Sequence, residues 1–290
     1  MSRTPTPAEV QDADDLLPGP DWTHGHVEEG GDDHLVLIPG DPNPAVVIRF
    51  ARRPEVGAEL PRRMRLLTSL APHLPYALPE PLTEVVTGER TGAAAVGQTY
   101  LPGAPHPPHE GDPEKLRPLL EHLASAPEYV WMPHVEPAYT VQPRWDPARR
   151  RATWEVLPAE HRSKAEAVWV ALDAIDGEEN ALVHGDLAGD NMRWQDGNLT
   201  GLLDWDHAAR WDPAINLAHL TLWHGPDVMS AAPDARFAAR AGVWVGHLAL
   251  IRVHDAAARQ AAGGTVRRWS RLLRKTLPRL DLATQSVAQL

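Results

Sequence analysis

The segment from Ala181 to Asp206 constrains this chain more than any other. It opens with a short apolar run, Ala181-Leu182-Val183, and passes into a polar loop, His184-Gly-Asp-Leu-Ala-Gly-Asp-Asn191. A second strand-like run, Asn191-Met-Arg-Trp194, leads to a turn at Gly197-Asn198, and Leu199-Thr-Gly-Leu-Leu-Asp204 completes the segment. Two short strands bracketing polar residues are how a rigid scaffold presents a loop that does chemistry.

Phosphoryl transfer suits this set of side chains. It needs little covalent help from a protein, only a carboxylate turned toward the acceptor hydroxyl and oxygen ligands for the magnesium that neutralises phosphate charge. Asp186 can fill the first role. Asn191, five positions on in the same loop, can offer its amide oxygen to a metal, and Asp204, 13 residues further, can add a carboxylate. A lone His-Gly-Asp would be a weak signal; the loop, the apolar strand and the following Asp at this spacing are a strong one. A two-metal hydrolase also clusters Asp and His, but here only His184 stands near the set. His184 also suits a structural position beneath the loop, and Asp190 a solvated one beside Asn191.

The rest of the chain supplies a frame. With 290 residues it can fill one large core or two lobes around a cleft. It has no cysteine, which excludes disulfides and thiolate chemistry and fits a cytoplasmic enzyme. Neither a signal-like apolar run at the start nor any stretch long enough for a membrane span is present, so no membrane partner is expected. Charge favours acids, 39 Asp and Glu against 28 Lys and Arg, a net of -11. Nucleic acid would meet repulsion, and the one basic run (Arg267, Arg268, Arg271, Arg274, Lys275, Arg279) has the spacing of a solvated helix face.

Residues 1–20 read as a loose leader ending in a turn at Pro18-Gly19-Pro20. His34–Ile38 and Ala45–Phe50 form a predicted hairpin, residues 59–70 a short helix, and 82–86 and 93–100 further strands. Leu101-Pro-Gly-Ala-Pro-His-Pro-Pro108 cannot form a regular element and makes a boundary. Helices are predicted at 113–124, 160–176, 214–224, 235–261 and 266–276. The expected architecture is α+β: a β-rich N-lobe at 1–97, a hinge and linker at 98–108, and a larger, mostly helical C-lobe at 109–290.

The loop, with Leu202-Leu-Asp204-Trp-Asp206 after it, resembles the aminoglycoside phosphotransferase family, antibiotic kinases related to protein kinases. The resemblance implies a two-lobed protein-kinase-like fold, ATP or GTP with Mg2+ as cofactors, Asp186 as the residue that positions the acceptor hydroxyl, and Asn191 and Asp204 as metal ligands. Asp212-Pro-Ala-Ile-Asn-Leu-Ala218 is similar to a family helix start, with Asn216 where an Asp is usual. In the N-lobe, Glu28-Glu-Gly-Gly-Asp-Asp-His-Leu-Val36 falls at the nucleotide-covering loop, so Gly30 and Gly31 become phosphate-cradle candidates. Arg49 takes the place of the phosphate-binding lysine, the alternative being an edge arginine facing solvent. Its carboxylate partner is either Glu59, through a shifted helix, or missing, because Arg63 stands at the matching place. Gln98-Thr-Tyr-Leu-Pro-Gly103 matches the hinge, with its backbone and Val96, Gln98, Tyr100 and Leu101 around the base.

Within the family the chain is most similar to kinases of cationic peptide antibiotics of the viomycin and capreomycin type, through Phe50-Ala-Arg52, Leu101-Pro-Gly-Ala-Pro105 and the loop itself. A hydroxyl of a tuberactinomycin peptide or an aminoglycoside is therefore the expected acceptor, with antibiotic resistance as the outcome. A macrolide, another metabolite, or a catalytically silent nucleotide-binding role are the alternatives. Asp206, Asp227, Asp234 and Asp255 are candidate contacts for ammonium groups, and Trp211, Trp223 and Trp244 candidate walls. No obligate protein partner is implied.

Overall fold

The structure, a computed structural model, describes residues 2–31, 33–135, 147–175, 181–263 and 269–290. Along the chain come β1 (Ser2–Arg3), α1 (Pro7–Leu16), β2 (His26–Glu28), β3 (His34–Ile38), β4 (Val46–Ala51), α2 (Pro54–Leu70), β5 (Val86–Thr87) and β6 (Ala94–Thr99). There follow α3 (Pro113–Ser125), α4 (Glu128–Trp131), α5 (Pro147–Val156), α6 (Ala159–Ile175), β7 (Ala181–Val183), β8 (Met192–Gln195) and β9 (Asn198–Leu202). The last elements are β10 (Ala209–Trp211), α7 (Ala214–His224), α8 (Ala235–Ala261) and α9 (Trp269–Val287). They gather into two compact units. One comprises Met1–Ala104, Ala126–Val135 and Met192–Trp205; the other comprises Pro105–Ser125, Glu136–Asn191 and Asp206–Leu290.

The first unit is built on an antiparallel sheet of order β1-β2-β3-β4-β6-β5. The predicted hairpin is β3 and β4, registered so that Val36 faces Arg49. The loose leader is corrected. Thr6 caps α1 with its hydroxyl on the Glu9 N–H at 3.2 Å, and the Glu9 carboxylate accepts the Thr6 N–H at 2.7 Å. That reciprocal pair, with Pro7 at the first helical position, was written in Thr6-Pro-Ala-Glu9. Ala13 then joins Trp22, Val27, Leu37, Ile48 and Phe50 in the core. Asp12 pins the helix by accepting from the Arg90 and Thr91 N–H groups and the Thr91 hydroxyl at 2.7–3.0 Å. Burial opposes its charge, but these hydrogen bonds prevail and hold its pKa below the ordinary carboxylate value.

The strand predicted at 82–86 shrinks to Val86–Thr87. Prolines 79 and 81 remove two donors from the approach, and the Thr83 hydroxyl, rather than a backbone carbonyl, takes the Gly97 N–H at 3.0 Å. The hairpin β8–β9 belongs to this unit, tied through paired bonds between Ala104 and Trp194 and a parallel bridge from Ala77 to Gly201.

The second unit is helical around the short β7–β10 ladder. Helix α3 buries Leu116, Leu119, Leu120 and Leu123, one stripe of a 3.6-residue period. Helices α8 and α9 approach closely at Gly246, where a Cβ would lie 2.5 Å from that of Ala283, so only glycine fits. The helix predicted at 266–276 is α9, which runs on to Val287 through Pro278; residues 266–268 of that prediction lie outside the described residues. Helices α4 and α5 were not foreseen. The first is a single turn, and the second buries only Thr153, so neither carries an apolar period. No described helix is long and apolar enough to cross a membrane.

Candidate active site

In the second unit the loop after β7 is held from below. His184 is fully buried, and its N–H donates to Asn216 Oδ1 at 3.0 Å while Asn216 Nδ2 donates to the Leu182 carbonyl at 3.2 Å. A backbone N–H can only donate and a carbonyl only accept, so both ends of this amide are fixed. An aspartate could make only the first bond. The structural reading of His184 matches this packing, and its Nδ1 also accepts the Asp186 N–H at 3.3 Å.

Gly185 lets the chain turn. Its φ of +85° lies in the region that favours glycine, and a Cβ there would stand 2.3 Å from the His207 carbonyl oxygen. Gly185→Ala is therefore expected to destabilise the protein by about 2–4 kcal/mol, the sum of left-handed strain and a clash with backbone. A drop in the urea midpoint at unchanged m-value would show it; an unchanged midpoint would contradict the packing described.

Asp186 is oriented by its neighbour in the loop. Asn191 Nδ2 donates to both the Asp186 carboxylate and the Asp186 carbonyl at 2.9 Å. The Asn191 N–H closes a short turn onto the Ala188 carbonyl at 2.9 Å. The amide nitrogen is thus committed, and Oδ1 accepts no hydrogen bond among the described residues. That leaves an oxygen donor of the kind magnesium takes. The Asp186 side chain stays 37% exposed, and its Oδ1 lies 3.6 Å from His219 Nδ1. Burial, reinforced by Arg252, pushes the His219 pKa down to about 3, so this imidazole is neutral at physiological pH.

His219 and Arg252 were not among the residues singled out from sequence. His219 stands three positions after Asn216 on α7 and so shares its helix face, a signal that was available.

The predicted substrate contacts have varied settings. Trp223 supports the loop: its indole N–H donates to the His106 carbonyl at 2.9 Å, and His106 N–H donates to the Gly189 carbonyl at 3.1 Å. Trp244 donates to the buried Asp212 carboxylate at 2.8 Å. Asp234 caps α8 by accepting the Phe237 N–H at 2.7 Å. Asp227 and Asp255 are exposed, while Asp206 and Trp211 are half-buried.

In the first unit Arg49 is buried on β4, which removes the reading of a solvent-facing edge arginine. Its Nη2 lies 3.0 Å from His34 Nδ1 and 3.1 Å from Asp204 Oδ1. Asp204 has a φ of +59°, a strained backbone for a residue other than glycine and the kind of outlier found at working sites. Glu59 does not reach Arg49; it accepts from Arg62 Nε at 3.0 Å. Arg63 is buried on the same helix.

Val96 is buried opposite Arg49 in the β4–β6 ladder, and Leu101 is buried beyond it. Gln98 spends its side chain on the Pro79 carbonyl at 2.6 Å. The half-buried Tyr100 gives its N–H to the Ala45 carbonyl at 2.9 Å, whereas the Leu101 N–H has no partner among the described residues. Gly30 has open space where a Cβ would be, and Gly31 meets only ordinary contact.

A β-sheet unit carrying a buried, acid-paired arginine and a helical unit carrying an oriented Asp–Asn loop define a protein-kinase-like α+β protein. The sequence model of the phosphotransferase enzyme family matches residues 27–254, and the chain belongs to that family. It is 30% identical over 233 residues to viomycin phosphotransferase of Streptomyces vinaceus, covering 74% of this chain and 78% of that one. Its fold is similar to that of the macrolide 2′-phosphotransferase MphH from Brachybacterium faecium, with a TM-score of 0.69, 22% identity and 94% and 99% of the two chains covered. It is also similar to the GDP complex of aminoglycoside 2′-phosphotransferase-IIIa, with a TM-score of 0.70, 17% identity and coverages of 96% and 97%.

Proposed function

We propose that this phosphotransferase moves the γ-phosphoryl group of ATP or GTP to a hydroxyl of a small-molecule antibiotic and so confers resistance. The observation that carries the reading is the Asp186 carboxylate, oriented by Asn191, backed by a neutral His219 and still open to solvent. Asp186 accepts a hydrogen bond from the acceptor hydroxyl, aims its oxygen at phosphorus and receives the proton as the new O–P bond forms and the bond from the γ-phosphorus to the β–γ bridging oxygen breaks, releasing ADP or GDP. Asn191 Oδ1 and the Asp204 carboxylate are oxygen donors suited to Mg2+. Bound magnesium would neutralise phosphate charge. Arg49 would hold phosphate through its fork of donors, and the Leu101 N–H would donate to the base.

The antibiotic reading rests on the likeness to viomycin phosphotransferase. A polycationic acceptor, whether a tuberactinomycin peptide or an aminoglycoside, also calls for carboxylates around Asp186. The charge that reaches Asp186 from α8 is instead Arg252, so likeness rather than electrostatics supports that finer choice.

The reading is tested by nucleotide consumption with ATP and GTP against tuberactinomycins, aminoglycosides and macrolides, with mass spectrometry of each mixture. One compound gaining a phosphoryl mass is expected; nucleotide binding with no product from any class would sink the antibiotic assignment. Asp204→Ala is expected to weaken magnesium-dependent nucleotide binding by about 10- to 100-fold in calorimetric titrations. Unchanged magnesium dependence would remove Asp204 from that duty.

A further inference from the structure

The two acids of α2 are spoken for by arginines close by. Glu55 accepts from Arg53 Nε at 3.0 Å, and Glu59 accepts from Arg62 Nε at 3.0 Å. Arg49, buried on β4, is met from within its own unit instead. Asp204 lies 3.1 Å from its Nη2, but that side chain is 41% exposed and has a second duty in the proposed reaction, as an oxygen donor for Mg2+. The other contact is His34, which is 6% exposed and has Nδ1 3.0 Å from the same nitrogen.

The sheet sets this contact. In the β3–β4 ladder Val36 stands opposite Arg49 and His34 opposite Ala51, so His34 is the diagonal neighbour of Arg49 on the same face, a spacing that long side chains span. The start of β3 is also pinned. Arg52 gives its N–H to the Asp33 carbonyl at 2.9 Å and its Nε to the His34 carbonyl at 3.3 Å.

The hydrogen bond can run in one direction only. A guanidinium donates and never accepts, so His34 Nδ1 is the acceptor, and an imidazole that accepts is uncharged with its hydrogen on Nε2. His34 therefore fixes the fork without offsetting its positive charge. Arginine tolerates such a partner, because it stays protonated with no carboxylate beside it, whereas a buried lysine readily gives up its proton.

We propose that His34 is the positioning residue of Arg49: its neutral imidazole holds the guanidinium for the nucleotide phosphates, in the place a helix carboxylate would otherwise take. This deepens the proposed function and rests on Arg49 being a phosphate contact.

The test uses the full chain with magnesium and reads binding without an acceptor, so it does not depend on which antibiotic is phosphorylated. A non-hydrolysable ATP or GTP analogue, whichever binds more tightly, is titrated calorimetrically. The matching nucleoside, which has no phosphate, is measured by displacement of a fluorescent analogue. His34→Leu should weaken the triphosphate analogue about tenfold, the loss of one charge-assisted hydrogen bond, and leave nucleoside affinity unchanged. His34→Asn, which returns a neutral oxygen acceptor close to the place of Nδ1, should recover most of that loss. In an Arg49→Ala background, itself weak for the triphosphate, His34→Leu should cost nothing more. Parent-like triphosphate binding in His34→Leu, equal losses for triphosphate and nucleoside, no recovery in His34→Asn, or an additive loss on Arg49→Ala would overturn the proposal. Parent-like triphosphate binding in Arg49→Ala would instead remove Arg49 as a phosphate contact, and the positioning role with it.

Discussion

Asp186→Ala is expected to lower kcat by about 10³-fold while nucleotide affinity stays near that of the parent, since positioned acid–base groups contribute about 10²–10⁴-fold. The geometry supports so selective an effect. Asp186 is partly exposed, and its loop is held by contacts that do not pass through its carboxylate: His184 to Asn216, Gly185 beneath His207, Trp223 and His106 to Gly189. Truncation should leave that frame standing and free the Asn191 amide from one of its two acceptors. Single-turnover kinetics with nucleotide binding measured alongside would separate chemistry from affinity. Turnover near the parent rate would remove Asp186 from the reaction.

The largest expected loss of stability belongs to Arg240→Ala. Arg240 and Asp212 are each 3% exposed in their side chains, with Nε 3.3 Å from Oδ1. Asp212 also accepts the Ala214 N–H at 2.9 Å and the Trp244 indole N–H at 2.8 Å. It thereby opens α7, the helix that carries Asn216 and His219. Burial alone pushes the Asp212 pKa up, opposed by the hydrogen bonds from Trp244 and Ala214 and by Arg240. Without Arg240 a buried carboxylate loses its counterion, at about 3–5 kcal/mol.

The sign with pH follows. A carboxyl whose folded pKa is raised binds its proton more tightly when folded, so it supports folding at low pH and loses that support as pH rises through the folded value. Removing Arg240 raises the pKa further. The deficit of the variant, measured by urea unfolding, should therefore be smaller at pH 5 than at pH 7. A deficit that did not change with pH would show that packing, rather than the stranded charge, dominates.

Much of the site was legible because its residues are consecutive. His184 to Asn191 and Asp204 sit on one hairpin-bounded stretch, and the chemistry of the loop follows from residue types and spacing. The secondary structure was legible where periods were clean, as in β3, β4, α3, α7 and α8. It failed at α1, where the signal was a cap rather than a period, and at residues 82–86, where two prolines and a threonine hydroxyl replaced ladder bonds.

Sequence by itself determined the family, the α+β class and the identity of the loop, since these rest on local order along the chain. Tertiary structure decided which charges meet. Only folding paired Arg49 with Asp204 rather than Glu59, turned His219 toward Asp186 and used Asp234 as a cap. Coulombic contact depends on distance through space and on burial, and neither is written in separation along the chain.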